Sequence, residues 1–145
     1  MKNQKNINKS ASAATSRPLV YICSPYRPVS ENPILAANEL IGNLKLARDA
    51  AALATFRGYD PVAPHLFYPQ FLNDDDQLER ELGMELGLLA LARFSELWIV
   101  SARISAGMSA EIKKAREIGI PVLVFTTVGL VPYTGDGEVT DNCVC

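Results

Sequence analysis

Between Pro18 and Pro132 the apolar residues follow two alternating periods. Leu19-Val20-Tyr21-Ile22-Cys23 is a short β-branched and aromatic run stopped at Ser24-Pro25, the pattern of a strand buried on both faces. From about Asn32 to Phe56 the period lengthens. Leu40, Leu44, Ala47, Ala51 and Ala54 fall on one stripe at three-to-four spacing, and Gly58 stands where such a helix would stop. Asp60 to Ala63 predicts a brief second strand, weakened by its prolines. His65 to Phe71 is aromatic and interrupted by Pro69, which predicts an ordered loop and not a ladder strand. Asp76 followed by Glu79 has the spacing of a capping box and opens a predicted helix running to about Phe94. Leu97 to Val100 predicts a third strand, Ser101 to Gly107 a loop, Ser109 to Ile118 a helix ended by Gly119, and Pro121 to Phe125 a fourth strand.

The order β-α-β-α-β-α-β requires right-handed crossovers. It predicts a small doubly wound α/β domain, flavodoxin- or Rossmann-like, with a parallel sheet of four to five strands and helices on both faces. Ligands of open α/β sheets bind beyond the carboxyl ends of the strands, at the switch in strand order. Three segments lie there in this topology: Ser24 to Arg27, His65 to Phe71, and Ser101 to Glu111.

Composition narrows the class. The chain has 145 residues, 48% hydrophobic and 21% charged, with a net charge of −2, which suits one domain with a core large enough to fold without disulfides or a structural metal. Its three cysteines, Cys23, Cys143 and Cys145, have no zinc or disulfide spacing and point to a reducing, cytoplasmic setting. A pI near 5.4 argues against a polynucleotide-gripping surface, though not against one small nucleotide. No run reaches the roughly 18–20 apolar residues of a membrane span. Residues 1–17 read as a disordered, basic extension, with a transit peptide as the alternative, and residues 133–145 as a flexible acidic tail. The domain proper is 18–132.

Ser101 to Glu111 joins a strand end to a helix start, where unpaired N–H groups and the helix dipole suit a phosphate. It lacks the Gly-Lys-Ser/Thr of a P-loop and the three glycines of a dinucleotide fingerprint. On spacing alone, Glu111 is equally well explained as a first-turn carboxylate that offsets the helix dipole.

Leu97 to Val100, the Gly107-Met108-Ser109-Ala110-Glu111-Ile112 run, Ala115, and Gly119 before the last strand together resemble the signature of the nucleoside 2-deoxyribosyltransferase superfamily. Tyr21-Ile22-Cys23-Ser24-Pro25-Tyr26-Arg27 resembles that family's opening strand and turn. The likeness runs from about Leu19 to Phe125. It is nearest to a bacterial and phage-borne branch carrying Ala-Pro-His-Leu-aromatic-Tyr, here Ala63 to Tyr68. The resemblance implies that Glu111 is a nucleophile attacking the sugar C1′, by the chemistry of a retaining glycosidase. It also implies a second carboxylate. Where the family has aspartates, this chain offers Glu79, Glu81 and Glu85 before the third strand and Glu96 at it; Glu85, nearest the strand entrance, is the candidate, with a solvated helix face as the other explanation.

Tyr21 and Tyr26 are candidates to fence the base and sugar, Tyr21 being equally a core residue. Ser24 lies at the end of the same strand. Arg27 has the planar fork that grips a 5′-phosphate, and Ser105 with the Gly107 and Met108 amides resembles the family's phosphate loop. His65, the sole histidine, is placed to touch substrate or to serve as a structural donor; without a Cys or His neighbour it suggests no metal, and no cofactor is implied. The expected function is cleavage or transfer at the N-glycosidic bond of a nucleoside or nucleoside 5′-monophosphate. A nucleotide-sensing module without turnover and a ligand-free interaction domain are the alternatives. The resemblance further implies a homodimer or higher homo-oligomer whose pocket is completed by a neighbouring subunit.

Overall fold

The computed structural model describes residues 16–140. Its elements are β1 (Leu19–Cys23), α1 (Pro33–Phe56), β2 (Asp60–Val62), α2 (Pro64–Phe67) with a 3-10 turn at Tyr68–Gln70, α3 (Gln77–Ala90) with a 3-10 turn at Leu91–Arg93, β3 (Glu96–Ile99), α4 (Ala106–Glu117), β4 (Val122–Thr126) and β5 (Gly129–Pro132). The sheet order is β2-β1-β3-β4-β5. The first four strands are parallel, as expected, but β5 pairs antiparallel with β4 through Phe125 opposite Leu130. The α/β class therefore stands, with a mixed sheet in place of a purely parallel one. The tight return at Gly129, whose φ is +115°, lets the chain fold straight back, a hairpin carried by too few residues to stand out in the hydrophobic pattern.

The strands are short and apolar because both sheet faces are covered. On one face Val20, Ile22, Trp98 and Val100 pack against Ala47, Ala50 and Ala54 of α1. On the other, Tyr21, Cys23, Leu97 and Ile99 pack against Met108, Ile112 and Ala115 of α4 and against Leu91. Small alanines let α1 lie close to the sheet, which explains how a helix with a weak apolar stripe still docks. Asn32 caps α1 by accepting from the Ile34 and Leu35 amides at 3.0 and 3.1 Å.

Three local expectations are corrected. His65–Phe71 is not a loop; it folds as α2 and the 3-10 turn, with Pro64 at the first turn, where its missing N–H costs nothing. At α3, Asp76 accepts from the Glu79 amide, but the Glu79 carboxylate accepts from the Asn73 amide and not from the cap residue, so the box is only half closed. Helix α4 starts at Ala106, three residues earlier than Ser109, because Ser105 caps it by accepting from the Met108 amide. After Pro132 the described part of the acidic segment makes polar contacts with the core: Thr140 bonds Ile104 through both backbone and hydroxyl, Arg116 donates to the Tyr133 and Gly135 carbonyls, and Lys113 pairs with Glu138 at 2.9 Å. Of the basic extension, Ser16 and Arg17 are described, and Arg17 donates to the Thr55 and Tyr59 carbonyls; residues 1–15 lie outside the described residues, as do Cys143 and Cys145. Among the described residues no helix is long and apolar enough to cross a membrane.

Candidate functional site

The switch in strand order falls between β1 and β3, whose paired ends, Cys23 and Ile99, lead into Ser24 and Val100. Alternation along β1 points Tyr21 and Cys23 to the α4 side, toward Glu111. Because α4 begins at Ala106, Glu111 stands in the second turn, too far along to offset the helix dipole, and turns inward instead. The Tyr21 hydroxyl donates to Glu111 Oε1 at 2.9 Å. Oε2 is out of reach of solvent and has no hydrogen-bond partner.

A carboxylate placed this way loses hydration. Burial pushes the Glu111 carboxyl up to about 7, against the Cys23 thiol and the Tyr21 hydroxyl, both of which favour its charged form. The same burial, together with the facing carboxylate, raises the Tyr21 phenol and the Cys23 thiol well above their ordinary values, so both stay protonated. Replacing Tyr21 by Phe removes one donor to the charged form, so the Glu111 carboxyl is expected to titrate about one unit above its already raised value. Carboxyl-carbon NMR of the two proteins checks this; an unchanged midpoint would show that the hydrogen bond does not set the charge.

Two further buried side-chain atoms without a partner lie around the same strand end: Ser24 Oγ and His65 Nδ1. Together with Glu111 Oε2 they concentrate unsatisfied polarity at one place, which a folded domain tolerates chiefly where a ligand will supply the bonds. Glu111, Tyr21, His65 and Gly107 line a compartment of about 60 Å³ beneath Tyr68 and Leu72. A neighbouring cavity of about 250 Å³ shares His65, Asp74, Arg80, Met84 and Gly107 with it and is bounded by Tyr26, Arg27, Arg103 and Ser105. The Tyr26 ring lies over His65 with centroids 5.3 Å apart.

Most of the residues expected from sequence therefore converge: Tyr21, Ser24, Tyr26, Arg27, His65, Ser105, Gly107 and Glu111. Two expectations about how they act need correction. Met108 is fully buried in the core and its amide is taken by the Ser105 cap, so neither group faces a ligand. The Arg27 fork is occupied, Nε pairing with Asp74 at 2.6 Å and Nη2 reaching the Asp74 carbonyl and the Asp75 carboxylate. Glu85 is not brought to Glu111. It is exposed on the outer side of α3 beside Glu81, Leu89 and Lys114. The inner side of α3 carries Arg80, Gly83, Met84 and Gly87 instead, and a Cβ on Gly87 would come within 3.0 Å of the Tyr21 hydroxyl. Sequence reasoning missed Asp74 and Arg80. The signal was present in the glycines four apart, which mark the face of α3 that approaches the site and place Arg80 on it. Among the described residues no three His, Cys, Asp or Glu side chains form a metal-holding group.

A five-stranded mixed sheet covered by helices on both faces defines the class of protein, an α/β domain. The chain belongs to the family described as a domain of unknown function, DUF7768, whose model matches residues 18–125. No curated protein matches it in sequence. Among solved structures, it is similar in fold to the 2-deoxyribosyltransferase of Bacillus psychrosaccharolyticus, with a TM-score of 0.54 and 15% identity over 74% of this chain and 71% of that one.

Proposed function

We propose that the protein is an N-glycosidic bond enzyme of nucleosides or nucleoside 5′-monophosphates, acting by hydrolysis or base transfer through Glu111. The observation that carries this reading is Glu111 itself: a buried carboxylate near the sheet's switch point, lining the compartment there, with one oxygen held by Tyr21 and the other without a hydrogen-bond partner. The nucleoside-transferring activity named for the structural neighbour supports it. In this reading the bare Oε2 bonds to C1′ as the C1′–N bond breaks and its electron pair leaves with the base. The carboxylate stabilises the oxocarbenium-like charge, and water or a second base then resolves the ester. Tyr21 holds the other oxygen, so the nucleophile is oriented while its attacking atom carries no hydrogen bond.

A phosphorylated substrate is part of the proposal. Arg80, which has no carboxylate partner among the described residues, meets the amino end of α4 across the larger cavity, where the dipole also favours an anion. Replacing Arg80 by Ala is expected to raise KM for a nucleoside monophosphate about 10- to 100-fold, as loss of a charge-assisted contact does, and to leave the unphosphorylated nucleoside unaffected. Steady-state kinetics on the matched pair decides it; equal changes for both would remove the phosphate from the proposal. The homo-oligomer implied by the resemblance also remains a proposal, and the exposed Leu78, Leu82 and Leu89 on the outer side of α3 are the apolar surface it would cover.

The test of the function is incubation with a panel of nucleosides and monophosphates, following free base by chromatography with and without an acceptor base. Release without acceptor indicates hydrolysis and base exchange indicates transfer. No release from any member, together with unimpaired nucleotide binding by the Glu111→Gln protein, would make the domain a sensor.

A further inference from the structure

His65 sits on α2 with its ring against Tyr26 and its Nδ1 buried without a hydrogen-bond partner, at the edge of the compartment that holds Glu111. Burial holds its imidazole below the ordinary histidine range, opposed by the Asp74 carboxylate and by a hydrogen bond to the Ser24 backbone. A neutral imidazole carries one N–H and one lone pair, and Nδ1 is the ring nitrogen that is buried without a partner. Glu111 and this second unpartnered polar side chain line the same compartment. The carboxylate expected for this part of the site, Glu85, is elsewhere.

We propose that His65 is the general base of the second half of the reaction, so that the acceptor is water. This rests on the glycosyl-ester reading of Glu111. With the sugar held on Glu111, a water oxygen bonds to C1′ and its proton passes to His65 Nδ1. The C1′–O bond to Glu111 breaks, and its electron pair returns to the carboxylate. The imidazolium so formed lies in the field of Asp74 and later releases its proton to solvent.

The experiment is rapid-quench measurement of base release, paired with denaturing mass spectrometry, on wild type, His65→Gln and His65→Asn, using the substrate that wild type cleaves best. Two variants are used because the side chain is buried, and retention of the wild-type melting transition is required of the one analysed. The expected result is a burst of about one base per enzyme, accumulation of the sugar-modified protein, and steady-state turnover lowered about 10²- to 10³-fold, the range for loss of a general base. A folded variant that loses burst and turnover in parallel, or keeps wild-type turnover, overturns the proposal and leaves Glu111 as nucleophile untouched. A wild type that releases no base from any substrate overturns both readings together.

Discussion

Glu111→Gln is expected to lower N-glycosidic cleavage by at least about 10³-fold, because an amide can neither bond to C1′ nor stabilise the charge that develops there. The same substitution should make the protein more stable at neutral pH. In the wild type, burial lifts the carboxyl from 4.5 to about 7, so the folded state binds more protons than the unfolded chain across that interval. The stability associated with this group is therefore fully present below about pH 4.5 and is lost as pH rises through about 7. Moving the group that far corresponds to at most roughly 3 kcal/mol. Urea unfolding of both proteins at pH 4.5 and 7.5 reads the effect as a difference that opens with pH in favour of the glutamine variant. A difference that stays flat would mean that Glu111 is not desolvated in the folded protein. A buried acid that weakens the fold at neutral pH and has an unpartnered oxygen is a candidate for chemistry.

The largest purely structural effect is expected at Trp98. It is fully buried on the α1 face of β3, edge-on to Tyr59 at 4.8 Å and to Phe125 at 5.5 Å, and its indole N–H donates to Glu96 at 2.7 Å. Trp98→Ala should cost about 3–5 kcal/mol, from the cavity and from an acid that loses its buried donor. Trp98→Phe should recover most of the packing and none of the hydrogen bond. Because this cluster faces α1 and the Glu111 cluster faces α4, activity per folded molecule should be unchanged in either variant. A drop in activity without a drop in stability would show that the two faces are coupled.

The element order and the sheet's switch point were legible because periods of two and 3.6 are enforced by burial on both sheet faces, and β1 shows this directly: Val20 and Ile22 serve one core, Tyr21 and Cys23 the other. What escaped depends on short segments and on sidedness. Strand β5 is four residues whose pairing is fixed by a turn. Helix α2 depends on a proline in its first turn. Glu85 and Arg80 lie on one helix, and their acid and base identities do not say which faces the sheet; the glycines on the Arg80 side do, Gly87 by its close approach to the Tyr21 hydroxyl and Gly83 by its contact with Leu72. The likeness to a glycosyl-transferring family pointed to Glu111, but the reason this carboxylate differs from any other on α4, an unpartnered oxygen held out of water, belongs to the folded protein alone.

The central claim, that Glu111 forms a bond to the sugar, is tested most directly by trapping that bond. A substrate bearing fluorine at the sugar C2′ slows both oxocarbenium-like steps, and a base that leaves readily restores the first, so the ester accumulates. Intact mass followed by peptide mapping is predicted to place the fluorosugar on Glu111, with no modification of the Glu111→Gln protein. Base release without a sugar adduct on Glu111, or an adduct on another residue, would contradict the account.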